Sequence, residues 1–199
     1  MPVDFLTRQF YMQAAAEYAA VPPHGKFVDN RNRFMNLLPL PARILDLGCG
    51  GGHDGRAFRD AGFQVTAVDA STEMATFASA RIDQKVIVRS FQDLTFTEEF
   101  DGVWASASLL HVPSEELPDV LRRVRCSLRR GGLLYASFKE AEKDWRDKGG
   151  RLFCAMTPTL LGDYLAGADF TVDAIERHEG HGSDAMATMW ILAFARKLT

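Results

Sequence analysis

The fold is decided by the stretch Asp46-Leu47-Gly48-Cys49-Gly50-Gly51-Gly52, which completes a short apolar run that begins at Arg43. A buried strand followed by a glycine-rich turn and a helix is typical of an open α/β sheet, which binds ligands at the carboxyl edge of its strands. Glycine lets the backbone turn sharply and approach a ligand more closely than a Cβ would permit. The helix after the turn begins with unpaired N–H groups that can hold a carboxylate or a phosphate. The stretch therefore predicts a ligand site at 46–52.

An acidic residue ends the next apolar run at Asp69, which is 23 positions after Asp46. This spacing suits a carboxylate that accepts hydrogen bonds from both ribose hydroxyls of an adenosine-containing cofactor. Asp46 itself has a second interpretation, because an acid at a strand end can simply fix the turn by accepting backbone N–H bonds. The glycines also fit the dinucleotide pattern when it is counted from Gly50 through Gly52 to Gly55, so a nicotinamide cofactor stays an alternative.

Outward from this turn, strand-length apolar runs alternate with helix-length segments, which predicts a doubly wound parallel sheet. The last two runs have no helix between them, so we expect a Rossmann-like α/β fold with a seven-stranded sheet, its last strand antiparallel and helices on both faces. The predicted strands are 43–47, 64–69, 86–89, 100–105, 133–138, 170–176 and 189–195, and the predicted helices are 4–20, 27–38, one ending near Gly62, one capped by Ser71, 113–131 and 157–167. We expect a single domain, 1–199, in which 1–40 form an amino-terminal helical lid over the core at 41–199.

The composition is that of an ordinary soluble domain, with 199 residues of which 47% are apolar and 25% charged. A net charge of −3 gives no general attraction to nucleic acid or to anionic membranes. The cysteines are Cys49, Cys126 and Cys154, and their spacing fits neither a redox motif nor a metal site. No signal peptide or membrane span is expected. These observations predict a cytoplasmic protein with buried, reduced thiols and leave the oligomeric state open.

The glycine-rich stretch resembles motif I of class I S-adenosylmethionine-dependent methyltransferases, and Val68-Asp69-Ala70-Ser71 resembles the acidic motif that follows it. The resemblance extends from Ala42 to Lys197 and includes the stretches at 100–106 and 128–133. The chain is similar in particular to small bacterial enzymes of the quinone-biosynthesis and tellurite-resistance-related group. The resemblance implies that S-adenosylmethionine is the cofactor and that a small molecule accepts the methyl group.

The resemblance also implies which residues would contact the cofactor. Backbone groups of Gly48, Cys49 and Gly50 would face its methionine part, Asp69 its ribose and Ala70 its adenine. The remaining expected cofactor contacts lie at strand ends, helix starts and the amino-terminal helix, and they are Asp46, Ser71, Met74, Ser90, Phe91, Ser106, Tyr11 and Tyr18. Many relatives carry Asp or Asn where this chain has Ser90, so Gln92 or Asp93 is an alternative there. The two tyrosines would close over the donor, or serve only helix packing.

Candidate residues for the acceptor side follow the fourth and fifth strands. His111 has a near-neutral ordinary pKa, which suits a general base, or it shapes the pocket wall. Arg146 and Arg151 lie in the charged stretch 139–151 and would bind an anionic acceptor, unless that stretch is only a solvated loop. A metal site could be suggested by His178, His181 and Asp184. A polar hairpin is the better interpretation of this loop, so no metal is expected.

Three other functions were weighed against small-molecule methyl transfer. The basic residues at 122–130 would suit a nucleic-acid methyltransferase, but they are spread over more than one helix face. Residues 105–108 read Ala-Ser-Ala-Ser and not the Asn/Asp-Pro-Pro-aromatic motif of many amino-directed DNA methyltransferases. The two closing strands fit a nicotinamide-dependent oxidoreductase, which would have a second βαβαβ half, less well than they fit a methyltransferase. A non-catalytic protein that binds the adenosyl cofactor stays open, since methyl transfer requires no particular catalytic residue. In-line methyl transfer needs mainly alignment of the acceptor, which is worth about 7–11 kcal/mol.

Overall fold

The computed structural model describes residues 4–182 and 186–198, and its elements alternate along the chain as predicted. The strands are β1 Arg43–Leu47, β2 Gln64–Asp69, β3 Ile87–Val88, β4 Phe100–Ala105, β5 Leu128–Lys139, β6 Trp145–Arg146, β7 Leu152–Phe153, β8 Thr171–His181 and β9 Ala187–Arg196. The helices are α1 Phe5–Gln13, α2 Ala15–Ala20, α3 Lys26–Asn36, α4 His53–Asp60, α5 Thr72–Ile82, α6 Leu117–Ser127 and α7 Pro158–Gly167.

The main sheet has seven strands in the order β3-β2-β1-β4-β5-β9-β8. β1 pairs in parallel with both β2 and β4, and β4 pairs in parallel with β5. β9 runs antiparallel to both of its neighbours, β5 and β8. The predicted Rossmann-like fold is therefore confirmed, with its final strand inserted antiparallel beside the edge strand.

The sheet order places a crevice at the carboxyl ends of β1 and β4. The strands that follow β1 in the chain lie on both of its sides, with β2 and β3 on one side and β4 and β5 on the other. The connection from β3 to β4 therefore crosses β1 and reverses the strand order. Ligands of open α/β sheets bind at such a switch point. Residues 44–47 of β1 are all buried, as expected for a parallel strand covered by helices on both faces.

Two apolar clusters hold helices against the two faces of the sheet. On one face Phe34 and Phe58 pack on Trp104, whose indole stacks on Tyr135 with ring centroids 4.0 Å apart. On the other face Leu121 of α6 and Leu161 of α7 pack against β4 and β5. These contacts fix the strand ends that carry the candidate site.

The predicted helix over 113–131 ends earlier than expected, at Ser127. Leu128 already pairs with Phe100 of β4, and the N–H of Gly131 donates to the carbonyl of Lys197. Arg129 and Arg130, whose positive charge is typical of the last turn of a helix, therefore lie in β5. Tertiary strand pairing decided this boundary, and the local charge pattern did not.

The charged stretch 139–151 is more ordered than the predicted loop. It contains β6, which pairs with β7 in a separate two-stranded sheet. The rings of Trp145 and Phe153 stack with centroids 4.4 Å apart and an interplanar angle of 12°. β8 and β9 are longer than predicted, and Asp184 between them lies outside the described residues. The expected helix 4–20 is interrupted at Ala14.

The three thiols differ in exposure. Cys49 and Cys154 are buried, whereas Cys126 on α6 is exposed, so the prediction of three buried thiols is wrong for Cys126. The apolar face of α6 carries Val120, Leu121 and Val124, which turns Cys126 outward. None of the helices in the described ranges is long and apolar enough to cross a bilayer.

Candidate functional site

A cleft of about 1130 Å³ opens at the carboxyl ends of β1, β2 and β4, covered by α1, α2 and the β6–β7 segment. It brings together most of the residues predicted from sequence, namely Tyr11, Tyr18, Asp46, Gly48, Cys49, Gly50, Asp69, Ala70, Ser71, Met74, Phe91, Ser106, His111, Arg146 and Arg151. Ser90 is not part of the cleft wall, because its hydroxyl donates to Asp93 at 2.5 Å on the exposed side. Gln92 also points elsewhere and donates to Glu116 at 2.7 Å.

The glycine-rich turn leaves space for a ligand at one position and none at another. The N–H groups of Gly48 and Cys49 donate to the carbonyl of Val68 at 2.8 and 3.0 Å, which ties the turn to β2. A Cβ on Gly48 would lie 2.4 Å from the Cβ of Ser108, so glycine is required there for packing. Gly50 has φ +51 and no atom within 4 Å of the corresponding Cβ position, so its open side borders the cleft.

Asp69 holds the turn and the next helix together while keeping accepting capacity. Its Oδ2 accepts from the N–H of Gly50 and its Oδ1 from the N–H of Ser71, both at 2.9 Å. Burial raises the pKa of Asp69 to about 6, so the carboxyl is ionised at neutral pH. Each carboxylate oxygen has a second lone-pair site. Asp69 can therefore accept hydrogen bonds from a diol in addition to its backbone contacts.

Asp46 is buried beneath the turn, and its Oδ2 has no hydrogen-bond partner within the described residues. Burial raises its pKa well above the usual range, and the nearby carboxyls of Asp54 and Asp69 raise it further. A cation brought into the cleft would favour the ionised form of these acids. This end of the cleft therefore suits a positively charged ligand that also carries ribose hydroxyls.

A second corner of the cleft is built from tyrosines of α1 and α2 and a histidine after β4. Nδ1 of His111 lies 2.6 Å from the carbonyl of Leu152, which can only accept, so Nδ1 carries the proton. Nε2 then accepts from the hydroxyl of Tyr11 at 2.8 Å. Burial lowers the pKa of His111 to about 4, so the imidazole is neutral at physiological pH. Nε2 already has a hydrogen-bond partner, and the direct base role of His111 stays a prediction.

Both arginines that were predicted to bind an anionic acceptor contact carboxylates of the chain itself. Arg146 donates to Asp4 through two nitrogens at 2.6 and 2.8 Å. Arg151 is buried, pairs with Asp147 at 2.6 Å and donates to the hydroxyl of Tyr18. The two guanidinium groups thus connect the amino-terminal helices to the β6–β7 segment. Their part in acceptor binding stays a prediction.

The cleft also has an aromatic wall that was not predicted from the sequence, formed by Phe27, Trp145, Phe153 and Trp190. The rings of Phe27 and Trp190 lie edge to face with centroids 5.0 Å apart. The buried Lys139 places its Nζ 4.6 Å from the centroid of Phe153. These residues come from four separate elements, so no local spacing relates them. A tryptophan within the charged stretch 139–151 was the one local signal.

The basic residues of α6 and β5 are engaged within the chain. Arg122 pairs with Asp119 and Arg129 with Asp101, while Arg123 donates to the carbonyl of Leu94. In residues 4–182 and 186–198, no group of three or more His, Cys, Asp or Glu side chains could hold a metal ion.

Comparison with known proteins identifies the family. A profile described as a methyltransferase domain matches residues 44–132, which include β1, the glycine-rich turn, Asp69 and β4. Residues 44–132 thus carry a methyltransferase domain, and the chain is similar to class I S-adenosylmethionine-dependent methyltransferases. The geometry of the glycine turn and Asp69 accords with the cofactor of this family.

Two curated relatives of this methyltransferase show where the similarity lies. An uncharacterized methyltransferase of Staphylococcus carnosus is 28% identical over 149 residues, which cover 70% of this chain and 72% of the relative. A ubiquinone biosynthesis O-methyltransferase of Xanthomonas oryzae is 28% identical over 164 residues, covering 78% of this chain and 61% of the relative. The methyltransferase thus matches less than two thirds of the Xanthomonas protein.

A solved structure matches the fold of the methyltransferase over almost its whole length. The 1,6-didemethyltoxoflavin-N1-methyltransferase of Burkholderia thailandensis superposes with a TM-score of 0.76 and 23% identity, covering 98% of this chain and 88% of that one. That enzyme was crystallised with 1,6-didemethyltoxoflavin and S-adenosylhomocysteine. The similarity of fold includes the amino-terminal helices and the closing antiparallel strand, since nearly the whole chain is covered.

Proposed function

We propose that this methyltransferase transfers the methyl group of S-adenosylmethionine to a small, largely apolar acceptor that enters the aromatic end of the cleft. The observation that carries the proposal is the division of one cleft into two chemically different ends. The acids and glycines follow β1 and β2, whereas Trp190 lies on β9, beyond β4 and β5 in the sheet, and forms the aromatic wall with Phe27, Trp145 and Phe153. A volume of about 1130 Å³ exceeds the roughly 300–1,000 Å³ of pockets that hold a single small ligand.

The cofactor end fits the group that it is proposed to hold. Asp69 would accept from the ribose hydroxyls, and the open side of Gly50 would admit the methionine part. Asp46 would favour a sulfonium cation, because a cation would offset its repulsion with the carboxyls of Asp54 and Asp69. Asp54 itself already pairs with Arg31 at 2.9 Å. When bound, S-adenosylmethionine supplies an electrophilic methyl group. The chain's own contribution is to bind the two molecules in line and to keep water from the reacting atoms.

The amino-terminal residues 1–40 are proposed to act as a lid over the domain 41–199. Thr7 accepts from the N–H of Leu152, and Asp4 pairs with Arg146, so α1 contacts the β6–β7 segment across the cleft. Acceptor entry would require these contacts to open. We also propose a cytoplasmic location, which free thiols at Cys49, Cys126 and Cys154 favour.

The experiment that tests the proposal is calorimetric titration with S-adenosylhomocysteine, with NADH as the rival ligand. Gly50→Ala is the informative variant, because its Cβ would occupy ligand space while meeting no protein atom. Gly131→Ala is the matched control, since Gly131 also has positive φ, +80, and an open Cβ position, but lies outside the cleft. Each of the two substitutions should lower the free energy of unfolding by about 1 kcal/mol through backbone strain.

We expect one-site binding of S-adenosylhomocysteine, weakened at least tenfold by Gly50→Ala and unchanged by Gly131→Ala. Binding of NADH in preference would overturn the proposal in favour of hydride transfer. An acceptor screen with radiolabelled S-adenosylmethionine follows, using planar aromatic compounds first. Cofactor binding without methyl transfer to any compound of a broad panel would favour the non-catalytic alternative.

A further inference from the structure

The hydroxyl of Tyr11 is held in one orientation by two consecutive hydrogen bonds. The carbonyl of Leu152 fixes the proton of His111 on Nδ1, at 2.6 Å, and Nε2 is therefore a hydrogen-bond acceptor. The phenol proton of Tyr11 is directed at Nε2, at 2.8 Å. His111 is buried, and the two rings lie edge to face with centroids 5.4 Å apart. The Tyr11 oxygen consequently turns lone pairs, and not its proton, toward other groups in the cleft.

We propose that Tyr11 accepts a hydrogen bond from the nucleophile of the methyl acceptor, and that His111 is the positioning residue that orients Tyr11. This inference rests on the proposed function and names its substrate class. The nucleophile is then a hydroxyl or an amine, because these groups carry a proton to donate. Thioethers and ionised thiols have no such proton and would gain nothing from Tyr11.

Neighbouring groups support this role for the Tyr11 oxygen. Arg151 donates to the hydroxyl of Tyr18 and, through Nη1 at 3.5 Å, to the oxygen of Tyr11. A phenol oxygen has two lone pairs, so one of them remains on Tyr11 for the proton of the acceptor. Tyr11 and Tyr18 lie with ring centroids 5.2 Å apart. The low pKa of His111, about 4, keeps Nε2 unprotonated and able to accept across the physiological range. Tyr11 is therefore oriented before any ligand arrives.

The proton has a defined path when the acceptor reacts. The new bond uses the nucleophile's lone pair, and the electron pair of the broken carbon–sulfur bond stays on the sulfur. The proton of the nucleophile passes to the Tyr11 oxygen while the phenol proton passes to Nε2 of His111. One positive charge leaves the cofactor and one appears on the imidazolium, so charge and atoms balance. With a pKa of about 4 in the resting protein, the imidazolium returns its proton to water.

The test measures binding to the complex with S-adenosylhomocysteine, so it does not depend on turnover. Phenol and aniline are donor probes, and fluorobenzene is a ring of similar size without a donor. Their dissociation constants are measured by ligand-observed NMR with the wild type, Tyr11→Phe, His111→Leu and the double variant. Tyr164→Phe is the matched control, because its hydroxyl contacts the carbonyl of Ser114 outside the cleft. Circular dichroism and a thermal melt, measured first, show that each variant is folded, and every titration is made at a saturating concentration of S-adenosylhomocysteine.

We expect Tyr11→Phe to reduce the affinity for phenol relative to fluorobenzene about threefold to tenfold, and Tyr164→Phe to leave this ratio unchanged. His111→Leu should lower the ratio in the wild-type background and have no further effect on Tyr11→Phe, because it acts through Tyr11. An unchanged ratio in Tyr11→Phe, additive effects in the double variant, or binding of none of the probes overturns the inference. Failure of the wild type to bind S-adenosylhomocysteine would instead refute the proposed function.

Discussion

Asp69 has a structural role in the turn and, in the proposed function, a second role in binding the cofactor. Its carboxylate accepts from the N–H groups of Gly50 and Ser71, so the turn and the helix start depend on it. The same burial that shapes the site raises its pKa from an ordinary 3.8 to about 6. Ribose hydroxyls donate best to the ionised form. Cofactor binding should consequently depend on pH within a window close to neutrality.

We predict that S-adenosylhomocysteine binds less tightly as the pH falls below about 6, by up to about tenfold per pH unit, and that its affinity is constant above about 7. The affinity falls with the pH because the pKa of Asp69 is raised, so that its carboxyl becomes protonated in the free protein in this range. Calorimetry between pH 5 and 8 measures the effect. The cofactor-free protein should show the opposite trend in stability, because the folded state holds the extra proton between about pH 4 and 6.

Asp69→Asn is the control for this pH dependence. It should bind weakly at every pH with no break near pH 6, whereas Asp119→Asn, at an exposed carboxyl on α6, should behave as the wild type. A dissociation constant that stays constant down to pH 5 in the wild type would contradict the assigned role of Asp69.

At the scale of elements, the contact between α1 and β7 depends on one buried hydroxyl. Thr7 accepts from the N–H of Leu152 and donates to Asp4, both at 2.8 Å. Leu152 also supplies the carbonyl that fixes His111. A change at Thr7 should therefore loosen the lid and the corner of the cleft at the same time.

We predict that Thr7→Val weakens the lid contact by about 1–3 kcal/mol, because valine keeps the shape but leaves the buried N–H of Leu152 unpaired. Hydrogen exchange of the Leu152 amide should accelerate at least fivefold. Thr76→Val, at an exposed position of α5 where the hydroxyl bonds only to the carbonyl of Thr72, should leave this exchange unchanged. Equal protection in Thr7→Val and the wild type would show that the lid does not depend on Thr7.

The strands of the core were predictable as elements because their apolar runs and bounding turns are local. β1, β2 and β4 have the predicted bounds, and Ser71 caps α5 as expected by accepting from the N–H of Met74. The end of α6 was not predictable, since the basic pattern at 129–130 is compatible with a helix end until β4 is placed beside it. The β6–β7 pair was missed because two-residue strands carry no periodicity.

For the whole molecule, the distribution of buried surface predicts how its thiols react. Cys126 is exposed on α6, Cys154 is buried in the core, and Cys49 is buried at the cleft. Burial raises the pKa of Cys154 to about 12 and that of Cys49 well above the usual range. Thiol exchange requires the thiolate, so only one of the three should react readily in the folded state.

We predict that an aromatic disulfide reagent titrates one thiol rapidly in the native protein and three after denaturation. Cys126→Ser should abolish the rapid phase. S-adenosylhomocysteine should slow the reaction of Cys49 and leave that of Cys126 unchanged, since only Cys49 borders the cleft. Two or more rapid thiols in the native protein would contradict the packing of the sheet.

The sequence by itself determined the core strands, the glycine turn and the acid at the end of β2, because each depends on neighbours close in the chain. The alternation of these strands with helices determined that they run parallel. Only the tertiary structure decided which side chains from distant elements meet. The pairing of Tyr11 with His111 spans 100 positions, Arg146 reaches Asp4 across 142 positions, and the aromatic wall draws on four elements. Such contacts arise when packing closes the chain on itself, and no local pattern of residues encodes them.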